Sequence, residues 1–454
     1  MTRSPLLTGI ARGAAAVACV TLLVRLLSFL REIAAAAAFG AGEELDIFFI
    51  AFLVPSFLFY SIMACAGPAL IPALMQARQR GGEAAMRALT ARANGVALLG
   101  FGAMAVLTMA ASPFYMPVLA PHLSPQRLAQ GEQWTLALSL LTPLLGISAL
   151  WTAIANAEGR LALPAAVPLL SPLMSILALS GFAEAWGAGA LVAGMLLGAV
   201  LEVGAMGLLL RRIGLLAPPR WPRRRFASSA PPAPAGADTE FEWTFITLFT
   251  GAAILSLIPA ADQAMASQIG VGGITSMLFG GRLVALTGSV GALALGASVL
   301  PPFARLAAER DWAGLDSLMR RCAAVTLLLA LLVCSAISWF SLPLTRVMFQ
   351  YGAFTSEDAI AVAAVQSFYI LQIPFYLGWI VLSRALGALG HNRLLLLLSV
   401  GAAGMNVVLN FFLRQSYGAP GIAAATAVTH FLLFSAVCAA ARFHLRARMR
   451  GSRQ

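Results

Sequence analysis

Three polar side chains stand at helical spacing inside an apolar run near the start of this chain. Arg25, Ser28 and Glu32 are three and seven residues apart, so a helix places them on one face. Arg31 falls about 120° around from Arg25 at 100° per residue. An arginine that meets hydrocarbon costs at least about 2.5–3.5 kcal/mol, so such a residue is expected to look into a wet interior. Its planar fork of donors suits a phosphate or diphosphate, which it can hold bidentately. Arg282, in LFGGRLVALTG, is a third cation of this kind, and its flanking glycines let another helix or a ligand come close. The competing reading is an internal ion pair of Arg25 or Arg31 with Glu32 or Asp46.

The acids carry two readings each. Asp46 follows FGAGEEL and opens the second apolar run; it is either a carboxylate favoured by its own helix N-terminus or a cavity or gating group. Asp262 and Gln263, in PAADQAMASQ, can pair with an arginine, take a coupling proton or cation, or lie at the outer interface. Glu202 has no evident partner, Arg384 reads as cytoplasm-proximal and structural, and His430 as packed core. The five cysteines form no CxxC pair, and no metal-ligand spacing is present, so neither a metal nor another cofactor is expected. With no Walker loop and no Ser/His/Asp arrangement, the chain reads as a transporter and not an enzyme. An ion gradient, substrate supply or the membrane potential would drive it, the last at about 2.3 kcal/mol per charge per 100 mV.

The elements that hold these residues must be membrane helices. Hydrophobic residues make up 60% of the 454 and charged residues 11%, with mean hydropathy +0.86, which no water-soluble domain can bury. At roughly 20 apolar residues per span, about twelve spans fit between residues 14 and 441. The first is no cleaved signal peptide, because it is too long and Arg25 interrupts it. There is no lysine; the arginines crowd alternate loops, such as Arg78 to Arg92, Arg211 to Arg225 and Arg305 to Arg321. The opposite loops hold Arg127, Arg346 and Arg414. That asymmetry places both termini in the cytoplasm. It also makes the net charge of +12 a topology signal and not a nucleic-acid footprint.

Composition divides the chain into a six-helix lobe over 1–211, a basic Pro/Ala-rich linker over 212–242, a second six-helix lobe over 243–442 and a basic tail over 443–454. ALIPALMQARQR (69–80) matches SVLPPFARLAAER (298–310), and NAEGR (156–160) matches LGHNR (389–393), at nearly equal offsets. The expected fold is therefore all-α, with two pseudo-symmetric lobes around a central cavity.

The stretch VRLLSFLREIAAAAAFGAGEELDIFFIAFLVPSFL (24–58) resembles the opening signature of the MurJ/MviN lipid II flippases of the MOP transporter superfamily. The shared pattern comprises Arg25, Arg31-Glu32, FGAG at 39–42, Asp46 before Phe48-Phe49, and Pro55. GGRLVALTGSVGALALGASVLPPFARLAA (280–308), FQYGAFT (349–355) and RALGALGHNR (384–393) extend the similarity along nearly the whole chain. The resemblance implies that Arg25, Arg31 and Arg282 engage the substrate diphosphate and that Asp46 matches a functional family aspartate. Ser28 and Glu32 would support them. It also implies carriage of a polyprenyl-diphosphate-linked glycan, lipid II foremost, with membrane lipids around it and cell-wall synthesis proteins as neighbours.

Departures bear on the substrate. Phe59 or Tyr60 stands where the family has a second-span arginine, Ala64 or Cys65 where it has an acid, and two further C-terminal spans find no room. A flippase for exopolysaccharide or O-antigen units is the first rival, a MATE-like cation antiporter the second, and a non-transporting scaffold the third. A cationic cargo would want buried carboxylates where this chain presents arginines.

Overall fold

The computed structural model describes residues 5–216 and 237–451. Among them there is no strand. The helices are α1 (Pro5–Phe39), α2 (Glu43–Leu119), α3 (Pro125–Ser139), α4 (Leu141–Ala157), α5 (Ala162–Ala166), α6 (Leu170–Trp186) and α7 (Gly189–Arg212). They continue with α8 (Ala237–Leu255), α9 (Leu257–Ala266), α10 (Gly273–Ala308), α11 (Trp312–Trp339), α12 (Ser341–Phe349), α13 (Ser356–Tyr369), α14 (Gln372–Ala388) and α15 (Asn392–Gly451).

Eight helical runs among the described residues are long and apolar enough to cross a bilayer, nine if α8 and α9 form one bent span. Two of these runs are broken inside. Gly81 and Gly82 leave helical geometry within α2, Gly82 at φ +64°, and Gly418 does so within α15 at φ +62°. Splitting both at their breaks and adding α1 gives the twelve rods expected from hydropathy. Glycine occupies these corners because a positive φ costs it nothing.

The described helices fall into two compact units. One holds 1–39 and 47–256; the other holds 40–46 and 257–454. This corrects the boundaries read from composition. The expected linker lies largely outside the described residues, at 217–236. Helix α8, which composition splits between the linker and the second lobe, packs with the first unit. Arg92 holds Glu242 at 2.8 Å, and Phe245 and Phe249 join the core of Ile62, Leu70, Phe101, Leu150 and Met206. In the first unit α6 and α7 also pack so closely that a methyl group on Gly194 or Gly198 would strike the backbone of Ser175 or Ser171. Small residues allow such backbone approach in membranes, where apolar burial alone drives no association.

The second unit is built on α10, α13, α14 and α15, with Phe303, Leu315, Val381, Leu386 and Val437 in its core. The tail expected from residue 443 is instead the last turns of α15. Arg448 lies over the Trp312 ring at 5.0 Å and reaches the Leu389 carbonyl, which holds the helix end in place through Gly451.

Candidate functional site

On α1, Arg31 Nη2 lies 3.6 Å from Glu32 Oε1, with the two side chains 21% and 9% exposed. The ion-pair reading therefore holds for Arg31. Arg25 is exposed and has no hydrogen bond or ion pair among the described residues, while Ser28 is half-buried. A guanidinium without a protein counter-ion in an apolar helix is available to an anion from outside.

Arg282 is half-buried on α10. Its flanking glycines do what their size suggested. A methyl on Gly280 would come within 2.9 Å of Val365, and one on Gly281 within 3.2 Å of the Tyr369 ring, so α13 packs directly on this stretch.

Asp46 is fully buried, and its carboxylate meets no arginine among the described residues. It accepts from the backbone N–H of Gly272 and from both the backbone N–H (3.1 Å) and the hydroxyl (2.7 Å) of Thr275. Gly272 is the N-cap of α10, sits at φ +80° and has no side chain to cap with. Asp46 thus supplies the missing acceptor, where the first N–H groups of a helix lack partners and the dipole favours negative charge. The same corner is held a second time. Asp358 Oδ2 accepts from Ala41 N (3.4 Å) and from Thr355 N (2.9 Å), closing a capping box at the start of α13. Gly40, at φ +63°, lies so near the Ala353 carbonyl that a Cβ would stand 2.7 Å from its oxygen. FGAG and FQYGAFT, far apart in sequence, are thus in contact.

Asp262, 1% exposed, anchors a buried polar cluster. Asn410 Nδ2 donates to its Oδ1 (2.7 Å), and Thr426 Oγ1 (2.7 Å) and the Tyr369 hydroxyl (3.4 Å) donate to its Oδ2. Asn406 completes the set, donating to Thr426 Oγ1 and accepting from Asn410. Asn410 Oδ1 is buried without a donor among the described residues. Gln263, beside Asp262, makes no side-chain hydrogen bond among the described residues.

The sequence reading missed Asn406, Asn410, Thr426 and Tyr369. The signal was there in part: NVVLN sets two asparagines one helical turn apart in an apolar run. His430 is half-buried, its Nδ1 2.9 Å from the Thr426 carbonyl and its ring edge-on to Tyr376. Glu202 has a partner that sequence did not reveal, the backbone N–H of Ser171 near the start of α6. Phe59 is buried against Phe52 and Tyr60, whereas the Tyr60 side chain is exposed.

The described residues are helical, with many apolar runs long enough to span a bilayer, and solved membrane transporters share this fold. A solved inward-facing MATE family multidrug transporter of the MOP superfamily superimposes with TM-score 0.75 over 95% of this chain and 99% of its own, at 13% identity. A solved lipid II flippase MurJ, in an inward closed conformation, gives TM-score 0.77 over 94% and 87%, at 19% identity. In sequence, the family model described as lipid II flippase MurJ matches residues 35–447. A probable lipid II flippase MurJ of Synechocystis is 28% identical over 438 residues, 92% of this chain and 78% of the relative. The lipid II flippase MurJ of Burkholderia cenocepacia is 25% identical over 370 residues, 77% and 67% of the two chains. The chain belongs to the MurJ lipid II flippase family.

Proposed function

We propose that this chain carries lipid II from the cytoplasmic to the periplasmic leaflet of the bacterial inner membrane by alternating access, with both termini in the cytoplasm. Family membership supports the cargo. The observation that carries the binding role is the Arg25 guanidinium, which has no counter-ion among the described residues. Arg25 and Arg31 in the first unit, and Arg282 in the second, are each diphosphate-binding candidates in this reading, with Glu32 and Ser28 orienting the α1 cations and Asp46 in a gating role. The polyprenyl tail stays in the bilayer while the headgroup crosses.

The Asp262 cluster is the coupling site in this reading. One carboxylate, two amide groups and two hydroxyls offer oxygen ligands and one negative charge. That suits a proton or a hard monovalent cation better than a divalent ion. The unsatisfied Asn410 Oδ1 supports it, since a buried acceptor left alone costs about 1–3 kcal/mol. Tyr369 touches Asp262 and also packs at Gly281, next to Arg282, so occupancy of the cluster has a short physical route to a substrate arginine.

A second reading, transport of another lipid-linked glycan, rests on the buried Phe59 at the second-span arginine position. One experiment separates the two. In cells depleted of their own lipid II flippase, wild type is expected to restore lipid II on the outer face, and Arg25→Ala at matched abundance is not. Restoration by both removes the arginine's role; restoration by neither, with normal insertion, moves the cargo to another glycan.

A further inference from the structure

Six residues of α14 lie on one helix face at positions 376, 379, 380, 383, 384 and 387, spaced by three and four. With Ala292 of α10 and Leu395 of α15 they line a cavity of about 420 Å³ inside the second unit, within the range of small-ligand sites. The cavity is graded along its length. Tyr376, Trp379 and Ile380 give one end an apolar, aromatic wall, the two rings stacked at 6.3 Å. Ser383 and Arg384 stand at the other end. From Tyr376 to Gly387 the face runs about 16 Å at 1.5 Å per residue.

Arg384 is exposed and has neither an ion pair nor a hydrogen bond among the described residues. It lies four residues before the end of α14 at Ala388, about 6 Å along the helix, beside the arginine-bearing turn that the charge pattern places in the cytoplasm. Lys and Arg side chains this close to the end of a span reach for the lipid phosphate layer. The Ser383 hydroxyl donates to the Ile380 carbonyl and keeps its lone pairs.

We propose that this groove binds one anionic phospholipid of the cytoplasmic leaflet, its phosphate on Arg384 and an acyl chain along Tyr376, Trp379 and Ile380. The inference does not depend on which glycan is transported. A cation at one end and an aromatic, aliphatic wall at the other match an amphiphile with a negative head. A soluble anion would have no use for the wall.

The test is native mass spectrometry of the full purified chain with equal phosphatidylglycerol and phosphatidylethanolamine. Wild type is expected to retain phosphatidylglycerol preferentially. Arg384→Ala should lower its occupancy about tenfold, the scale of one charge-assisted hydrogen bond. Arg393→Ala, in the neighbouring turn, should leave it unchanged. Ala292→Phe fills the groove with the charge intact and should also expel the lipid, which keeps the test decisive if Arg384→Ala does not fold. Equal retention of both lipids, retention by Arg384→Ala, or equal loss in Arg393→Ala overturns the proposal. So does displacement by inorganic phosphate at matching concentration, which would mark a bare phosphate site. One-for-one displacement by a polyprenyl diphosphate would give the groove to the transported lipid instead.

Discussion

Asp46 Oδ1 lies 2.7 Å from the hydroxyl of Thr275 and 3.1 Å from its backbone nitrogen, although 229 residues separate the two. The carboxylate that opens α2 therefore caps α10. Asp46→Ala leaves the Gly272 and Thr275 N–H groups without their acceptor, at about 1–3 kcal/mol for a buried unsatisfied donor. A double-mutant cycle with Thr275→Val, read by thermal unfolding in detergent, should return a coupling of about 0.5–3 kcal/mol. Additive losses would show that the two residues act independently.

Gly40→Ala should destabilise the same corner by about 1–3 kcal/mol, because alanine is forced to a positive φ against the Ala353 carbonyl. Gly159→Ala, also at positive φ but with open space around it, separates the two causes. It should cost less. Equal losses in the two variants would leave the contact with Ala353 without consequence.

Asp262→Asn removes the one charge in its cluster while keeping its shape. If the cluster takes a monovalent cation, wild type should melt at higher temperature in sodium than in choline salts, and the variant should not. A hundredfold excess of ion over its Kd would add about 2.7 kcal/mol. A proton-coupled cluster would show no sodium effect and a pH-dependent rate of lipid exposure that Asp262→Asn abolishes. Insensitivity to both ions and pH would end the coupling role.

Outside the membrane spans, His391 stacks on His444 with ring centroids 3.8 Å apart. Partial burial, then the neighbouring His444 and Arg448, pushes its pKa below the usual 6.5. A depressed histidine is kept neutral in the native state, so its contribution is complete above pH 6.5 and fades as pH falls below that value. Melting temperature should decline more from pH 7.5 to 5.5 in wild type than in His391→Gln. Parallel declines would remove His391 from the acid response.

The sequence reading was strongest where a local pattern carries the information. Hydropathy supplied the twelve rods, and the glycines beside Arg282 announced the close approach of α13. It was weakest where a partner lies hundreds of residues away. Asp46 was read as a carboxylate at the start of its own helix or a gating group, and α10, the helix it caps, was not in view. Arg31 turned out to pair with its immediate neighbour, leaving Arg25 open. For α8, composition put residues 237–242 in the linker and 243–255 in the second lobe, while Phe245 and Phe249 pack in the first unit, so the unit boundary falls after Ser256. Asn406 and Asn410 were visible as a pair, yet nothing local said that Asp262 would complete them.

The short strip 40–46 belongs with helices made much later, and this sets a timetable for synthesis. At about 5–20 residues per second, Asp46 leaves the ribosome roughly 10 to 45 s before Gly272 and Thr275 exist. For that interval the Asp46 carboxylate lacks its Gly272 and Thr275 donors, and an unpaired carboxylate is safe only in water. The lag predicts that the nascent chain parks this corner at the outer surface. A ribosome stalled before residue 270 would then leave Gly42→Cys open to an impermeant thiol reagent, and one stalled after residue 360 would protect it.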